Sequence, residues 1–217
     1  NAAILLKKLG HSVSGSDGKI YPPMSNALED SGMKYYEGYD ALRLESLSPD
    51  LVVVGNSISR GNPEIEWLLN EDKVHFISLP QLINEYFLSG KESIVITGTH
   101  GKTTTASIAS YLLHHNQCSP SWFIGGVPIG LDSGAHLGSG NQFIIEGDEY
   151  DTSFFDKRSK FIHYNPNIVS INNVEMDHGD IFRDLEDIKR SFSHLIRIIP
   201  ERGFLIINGD DKNIEEI

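Results

Sequence analysis

The chain has 217 residues, 39% of them hydrophobic and 22% charged, with a formal net charge of −12. That composition describes a folded globular protein with enough chain for a substantial core. The negative charge and the lack of any apolar run near membrane-spanning length argue against nucleic acid or a membrane as partner. A single cysteine, Cys118, excludes an internal disulfide and fits a reducing compartment; without a signal-peptide layout at the N-terminus, the expected location is the cytoplasm.

Residues 2–9 read as a helix stopped by Gly10, followed by a strand over 11–14 that ends in Gly15-Ser16-Asp17. Asp17 reads either as a turn or cap residue or as a ligand for a ribose hydroxyl at the end of a strand. Tyr21-Pro22-Pro23 is a stiff connector into a helix over 24–30, and a strand follows at 34–36. Leu51–Val54 is a continuous apolar strand of the kind buried on both faces of parallel sheets. It runs into the polar stretch 55–64, where Asn62 suits an N-cap and Pro63 the first helical position. This stretch is either an exposed polar loop or, leaving a strand at its carboxyl end, a ligand-binding loop in which Ser57 and Arg60 are the candidates. A strand at 74–77 and a helix at 80–88 complete a β-α alternation, and the polar stretch 88–92 reads as a hinge into a second domain.

The second domain opens on the most informative stretch of the chain. Ile94, Val95 and Ile96 read as a buried strand; Gly98 and Gly101 break it, and Lys102 opens a helix to residue 115 whose apolar positions Ile108, Ala109, Leu112 and Leu113 share one face. Strand, glycine turn and Lys-Thr at a helix start form the layout of a phosphate-binding loop, in which backbone N–H groups and the helix dipole face an anion. Gly98, Thr99, His100, Gly101, Lys102, Thr103 and Thr104 are the expected phosphate contacts. The spacing is the tight G-x-x-G-K-T, not G-x-x-x-x-G-K-[ST], because Ile96 stands where the first glycine of the longer pattern would. Replacing Lys102 by Ala is expected to remove most activity with little change in folding.

Downstream, Gly125-Gly126-Val127-Pro128 is a turn that admits close backbone approach. A strand over 142–145 ends in Glu146, Asp148, Glu149 and Asp151, four carboxylates in six residues that need either solvent or a cation; beside a phosphate loop, Mg²⁺ is the expected answer. Residues 156–160 read as an exposed basic counterweight. A strand at Ile168–Ile171 leads to Asn172, Asn173 and His178, the last flanked by Asp177 and Asp180. A helix then places Leu185, Ile188, Phe192, Leu195 and Ile196 on one face. The helix without a cap at the start and the unfinished one at the end read as cut ends.

In that order, Thr-Gly-Thr-His-Gly-Lys-Thr-Thr-Thr (97–105), Ile-Gly-Gly-Val-Pro (124–128), Glu-Gly-Asp-Glu-Tyr-Asp (146–151) and Asn-Val-Glu-Met-Asp-His (173–178) resemble the Mur ligase family. Its members use ATP to join an amino acid or peptide to a UDP-linked muramic acid. His100 resembles the branch acting directly on UDP-N-acetylmuramate. The stretches 21–24, 55–64 and 150–164 resemble those of its members that attach L-alanyl-γ-D-glutamyl-meso-diaminopimelate, the murein tripeptide recovered from old cell wall.

The resemblance implies an α/β fold with two parts. Residues 1–89 would be a Rossmann-like UDP-sugar-binding domain lacking its first strand and glycine-rich loop; residues 90–217 would be an incomplete P-loop-containing central domain that binds ATP. A third, peptide-binding domain would be absent. It also implies Lys102 and His178 as catalytic groups, Thr103, Glu146 and His178 as ligands of Mg²⁺, and Asp17, Ser57, Arg60 and Asn173 on the UDP-sugar side. Some relatives carry a carbamylated lysine on the helix after the histidine; Ser193 stands at that position, so Lys189 is given no such role. The implied chemistry is activation of the muramate carboxylate as an acyl-phosphate, then amide formation. Addition of L-alanine instead of the tripeptide is the nearest alternative, and a nucleotide-hydrolysing switch is the alternative from another class.

Overall fold

Short strands alternate with short helices, and the alternation builds two units of mainly parallel strands. The structure, a computed structural model, describes residues 1–22, 24–176 and 182–217. Its compact units are Asn1–Ser78 and Leu79–Ile217.

In the first unit, α1 (Ala2–Lys8) buries Leu5 and ends at Gly10, which takes the left-handed conformation with φ of +93°. The His11 N–H closes this helix on the Leu6 carbonyl, so His11 cannot open a ladder, and β1 forms later than expected, at Ser14–Asp17. It pairs in parallel with β2 (Lys34–Glu37) across α2 (Met24–Asp30). A helix with no sequence expectation, α3 (Ala41–Leu47), begins where the Asp40 carboxylate accepts from the Leu42 N–H; none of its residues is buried, so no apolar stripe announces it. β3 (Leu51–Val54) pairs in parallel with β4 (His75–Ser78) across α4 (Pro63–Glu71). The expected cap is present: Asn62 accepts from the Glu64 and Ile65 N–H groups, with Pro63 next. The β1–β2 and β3–β4 ladders are separate. Val54 is buried but Val53 is 36% exposed, so β3 is not covered on both faces as its composition suggests.

The second unit begins with α5 (Leu79–Ile83), which runs on through a π-helical turn, Asn84–Leu88. Leu82, Ile83, Phe87 and Leu88 are buried, and both segments pack against the 3₁₀ turn Lys160–Tyr164. That packing places residues 79–88 in the second compact unit.

The six-stranded sheet runs β10 (Phe204–Ile207), β9 (Ile168–Ile171), β5 (Glu92–Thr97), β8 (Gln142–Gly147), β6 (Ser121–Phe123), β7 (Ala135–His136). All neighbours are parallel except β6 and β7. Ile96, Trp122, Ile124, Leu131 and Ile144 form a core with Ala106 of α6 (Lys102–His115). The alternate residues Val95, Phe143 and Ile145, also buried, turn to the other face. Ala106 and Ser110 are the buried positions of α6, with Ala109 and Leu113 partly covered, while Ile108 and Leu112 are 55% and 54% exposed. Half of the expected apolar face therefore points away, because the helix lies on the sheet through its smallest side chains. α7 (Leu185–Arg197) buries Ile188, Phe192 and Leu195 as its periodicity requires. α8 (Lys212–Glu215) follows β10, the exposed edge strand. Among the described residues, no helix is long and apolar enough to cross a membrane.

Candidate active site

The site assembles at the carboxyl ends of β5, β8 and β9, which the register holds level: Thr97 lies opposite Gly147 on one side and Ile171 on the other. Thr97 Oγ1 donates to the Gly147 carbonyl at 2.6 Å, fixing where β5 stops. The loop then turns through Gly98 (φ +130°) and Gly101 (φ +80°), conformations that side-chain-bearing residues rarely adopt. A Cβ at Gly98 would lie 3.0 Å from the backbone N and O of Asn173, so the turn is pressed against the strand end beside it.

That neighbour is what shapes the loop. The Thr99 N–H donates to the Asn173 carbonyl (3.0 Å) and the His100 N–H to Asn173 Oδ1 (2.7 Å), while Asn173 Nδ2 donates to the His100 carbonyl (3.3 Å). Asn172 Nδ2 donates to Thr105 Oγ1 (3.0 Å), and Thr99 Oγ1 accepts from the Glu175 N–H (2.9 Å). Among the described residues no side chain caps α6, whose N-cap is Gly101, and the first-turn N–H groups of Lys102, Thr103 and Thr104 face the position an anion would take. Asn173 thus braces the phosphate loop, a role that its place among the expected UDP-sugar contacts did not anticipate. His100 itself is exposed, its Nε2 3.9 Å from Glu175 Oε2.

Lys102 does not project freely. Its Nζ donates to the Gly98 carbonyl (2.8 Å), to Glu149 Oε2 (2.9 Å) and, at longer range, to Glu149 Oε1 (3.3 Å) and the Thr99 carbonyl (3.4 Å). The Glu149 side chain is 2% exposed and that of Lys102 13%. Glu149 was legible only as one member of an acidic run, and the run does not behave as a cluster. Asp148 pairs with Lys160 at 3.1 Å and Asp151 with Lys157 at 2.8 Å. The 156–160 segment is therefore the neutralising partner of the run, and Lys160, only 19% exposed, is not the surface residue expected. Among the described residues, no group of three His, Cys, Asp or Glu side chains is arranged to hold a metal.

Glu146 stands apart from the run. It accepts from Thr103 Oγ1 (3.2 Å) and from the Gly125 N–H (3.1 Å) and forms no ion pair among the described residues. Burial pushes its carboxyl above the ordinary range, partly offset by those two hydrogen bonds. A desolvated carboxylate facing a threonine hydroxyl at a phosphate loop is a hard-oxygen pair suited to a divalent cation, so these residues fit Mg²⁺. Gly125 explains part of the expected close approach: a Cβ there would sit 3.3 Å from Glu146 Oε2. His178 lies outside the described residues.

In the first unit, the expected sugar-side residues are engaged locally. Asp17 Oδ1 accepts from the Gly18 N–H (2.7 Å) and the Tyr39 hydroxyl (3.2 Å). Ser57 is exposed. Arg60 forks onto Glu66 (Nε–Oε1 2.9 Å, Nη2–Oε2 3.0 Å), which holds the Glu66 carboxyl down at about 2. Sequence reading missed Glu64, which accepts from Ser16 Oγ (2.5 Å), the Asp40 N–H (3.1 Å) and Arg43 Nη2 (3.2 Å), tying β1, α3 and α4 together. Its only local signal is its position in the first turn of α4.

A glycine turn at the end of a central parallel strand, a Lys-Thr helix start and a carboxylate on the adjoining strand define a nucleotide-binding α/β protein of the phosphate-loop type. The chain belongs to the Mur ligase family: the profile for the Mur ligase middle domain matches residues 96–217, and that for the Mur ligase family catalytic domain matches residues 1–89. It is 47% identical over 214 residues to the UDP-N-acetylmuramate–L-alanyl-gamma-D-glutamyl-meso-2,6-diaminoheptandioate ligase of Escherichia coli (strain K12), across 99% of this chain and 46% of that protein. Against the UDP-N-acetylmuramate–L-alanine ligase of Clostridium botulinum (strain Hall) the identity is 34%, across 95% of this chain and 43% of that protein. The solved structure of the UDP-N-acetylmuramate:L-alanyl-gamma-D-glutamyl-meso-diaminopimelate ligase from Neisseria meningitides matches with a TM-score of 0.94 at 42% identity, covering 99% of this chain and 69% of that one. The chain spans about half the length of the curated relatives it matches.

Proposed function

We propose that this chain supplies the ATP- and UDP-sugar-binding parts of a ligase that joins L-alanyl-γ-D-glutamyl-meso-diaminopimelate to UDP-N-acetylmuramate in the cytoplasm, in the recycling of cell-wall peptide. The observation that carries the nucleotide half is the braced glycine turn with Lys102, Thr103 and Glu146 gathered at its mouth. The peptide rather than L-alanine as acceptor is supported by the higher identity to the tripeptide ligase, 47% against 34%.

In this reading a carboxylate oxygen of the muramate attacks the γ-phosphorus of ATP, and the bond to the β-phosphate oxygen breaks, releasing ADP. The tripeptide amine then adds to the carbonyl of the acyl-phosphate, loses its proton, and the tetrahedral species collapses with expulsion of phosphate. Lys102 and the first-turn N–H groups of α6 stabilise charge on the transferring phosphoryl group by fixed placement. Thr103 and Glu146, with His178, would hold Mg²⁺, which when bound supplies positive charge for the β- and γ-phosphates. Residues 1–89 take the UDP-sugar, with Asp17 and Ser57 at strand ends and Arg60 exchanging Glu66 for a phosphate; that surface pair is weak enough to exchange. Residues 90–217 take the nucleotide.

The test is phosphate release by the complete polypeptide containing these residues, with UDP-N-acetylmuramate, tripeptide and L-alanine each supplied or withheld. Release that requires both the UDP-sugar and the tripeptide is the expected result. Selectivity for L-alanine would reassign the acceptor, and hydrolysis indifferent to the UDP-sugar would overturn the ligase reading.

A further inference from the structure

Lys102 carries one ammonium group with three N–H donors, and four acceptors surround it. Two contacts are short, to the Gly98 carbonyl and to Glu149 Oε2 at 2.8 and 2.9 Å; two are long, to Glu149 Oε1 at 3.3 Å and to the Thr99 carbonyl at 3.4 Å. Glu149 cannot follow solvent if Lys102 leaves, because its side chain is 2% exposed. A carboxylate that deep, deprived of the Lys102 ammonium, would keep its charge in a place denied to water, which disfavours any state in which the lysine swings out to meet a ligand.

From this we infer that Glu149 is a positioning residue for the phosphoryl-transfer step, an inference that rests on the function proposed above. It keeps the Lys102 ammonium at the loop with nucleotide bound, so that the N–H shared between the two long contacts, to Glu149 Oε1 and the Thr99 carbonyl, is redirected to a phosphate oxygen while the two short contacts persist. The lysine thus acts as a fixed donor and not as a mobile charge. Glu149 also places a negative charge close to the triphosphate, so it works against nucleotide affinity while it favours the geometry of transfer. These opposite effects separate it from a residue that merely supports the fold.

The experiment compares the parent with Glu149→Gln, which keeps the shape and removes the charge, and Glu149→Asp, which keeps the charge one methylene further back. Affinity for a non-hydrolysable ATP analogue is measured by titration calorimetry, and kcat by phosphate release under saturating substrates, both on the complete polypeptide. For Glu149→Gln the expectation is an analogue Kd unchanged or tighter, with kcat reduced about tenfold or more as placement is lost. Glu149→Asp is expected to fall between Glu149→Gln and the parent in kcat. A kcat within about threefold of the parent in both variants overturns the inference, as does a loss of affinity that matches the loss of turnover. If Glu149→Gln melts below the assay temperature, Glu149→Asp carries the test alone, and an unchanged kcat in it is then decisive against. Lys102→Met separates the two readings: if it leaves both affinity and turnover intact, the proposed nucleotide site fails and the inference falls with it. Failure confined to the Glu149 variants leaves that site standing.

Discussion

Lys102 and Glu149 are unequal partners in their exposure, and the consequence for folding differs from what the loop motif suggests. A phosphate-loop lysine read from sequence is a surface charge whose removal leaves stability nearly unchanged. In the structure its removal would leave the Glu149 carboxylate buried without its cation. Breaking such a pair from one side costs on the order of 3–5 kcal/mol, whereas removing both charges costs much less. We therefore expect Lys102→Ala to lower the melting temperature substantially and Lys102→Ala with Glu149→Gln to recover most of it. Thermal melts of the two variants beside the parent check this, and a single variant that melts like the parent refutes it. A second residue-scale expectation concerns acid. The Arg158 guanidinium, forked onto Asp156 at 2.7 and 3.0 Å, holds that carboxyl down at about 2, against 3.8 unperturbed. A folded-state value below the unfolded one means that the stabilisation is complete above about pH 4 and is lost as pH falls toward 2. Asp156→Asn should lower stability at neutral pH and flatten the melting-temperature curve between those two values; an acid limb of unchanged slope would count against it.

At the scale of elements, the phosphate loop depends on a segment more than 70 residues away. The glycines, the lysine and the helix start were legible because they are local chemistry: positive φ, a free helix end and a charge at its mouth. The brace was not, because Asn172 and Asn173 carry no periodic or compositional mark. Their function exists only because β9 lies beside β5 in the sheet. Asn173 makes two hydrogen bonds to the backbone of His100, and each is worth roughly 0.5–1.5 kcal/mol net. Asn173→Ala should weaken ADP binding by about tenfold and leave UDP-N-acetylmuramate affinity within about twofold. Calorimetric titration with each ligand decides it, and the reverse pattern would return Asn173 to the sugar site. The same limit applied to α6. Two apolar stripes one residue apart are both compatible with its sequence, and the sheet selected the one with Ala106 and Ser110, which let the helix come close.

Over the whole molecule, one run of exposed apolar residues in the second unit is the edge strand β10. Phe204, Leu205, Ile206 and Ile207 are 65%, 40%, 56% and 44% exposed, and among the described residues the strand is paired on one side, with β9. An apolar edge with free backbone groups is a template for pairing with another chain. The 217-residue chain is expected to self-associate with rising concentration, and Ile206→Lys to shift it toward monomer. Light scattering across a concentration series tests both, and a parent that stays monomeric overturns the expectation. The amino-acid sequence by itself determined the α/β class, the strand–turn–helix of the phosphate loop, the cap at Asn62, and the candidates Lys102, Thr103 and Glu146. Each of these is set by short-range conformational preference or by the chemistry of adjacent residues. Only the tertiary structure decided that the acidic run disperses into separate lysine pairs, that Glu149 holds Lys102, that Asn173 holds the loop, and that residues 79–88 belong with the second unit. Those are contacts between segments distant in the chain, and they are chosen by which strands lie side by side and by which side chains the packing denies to water.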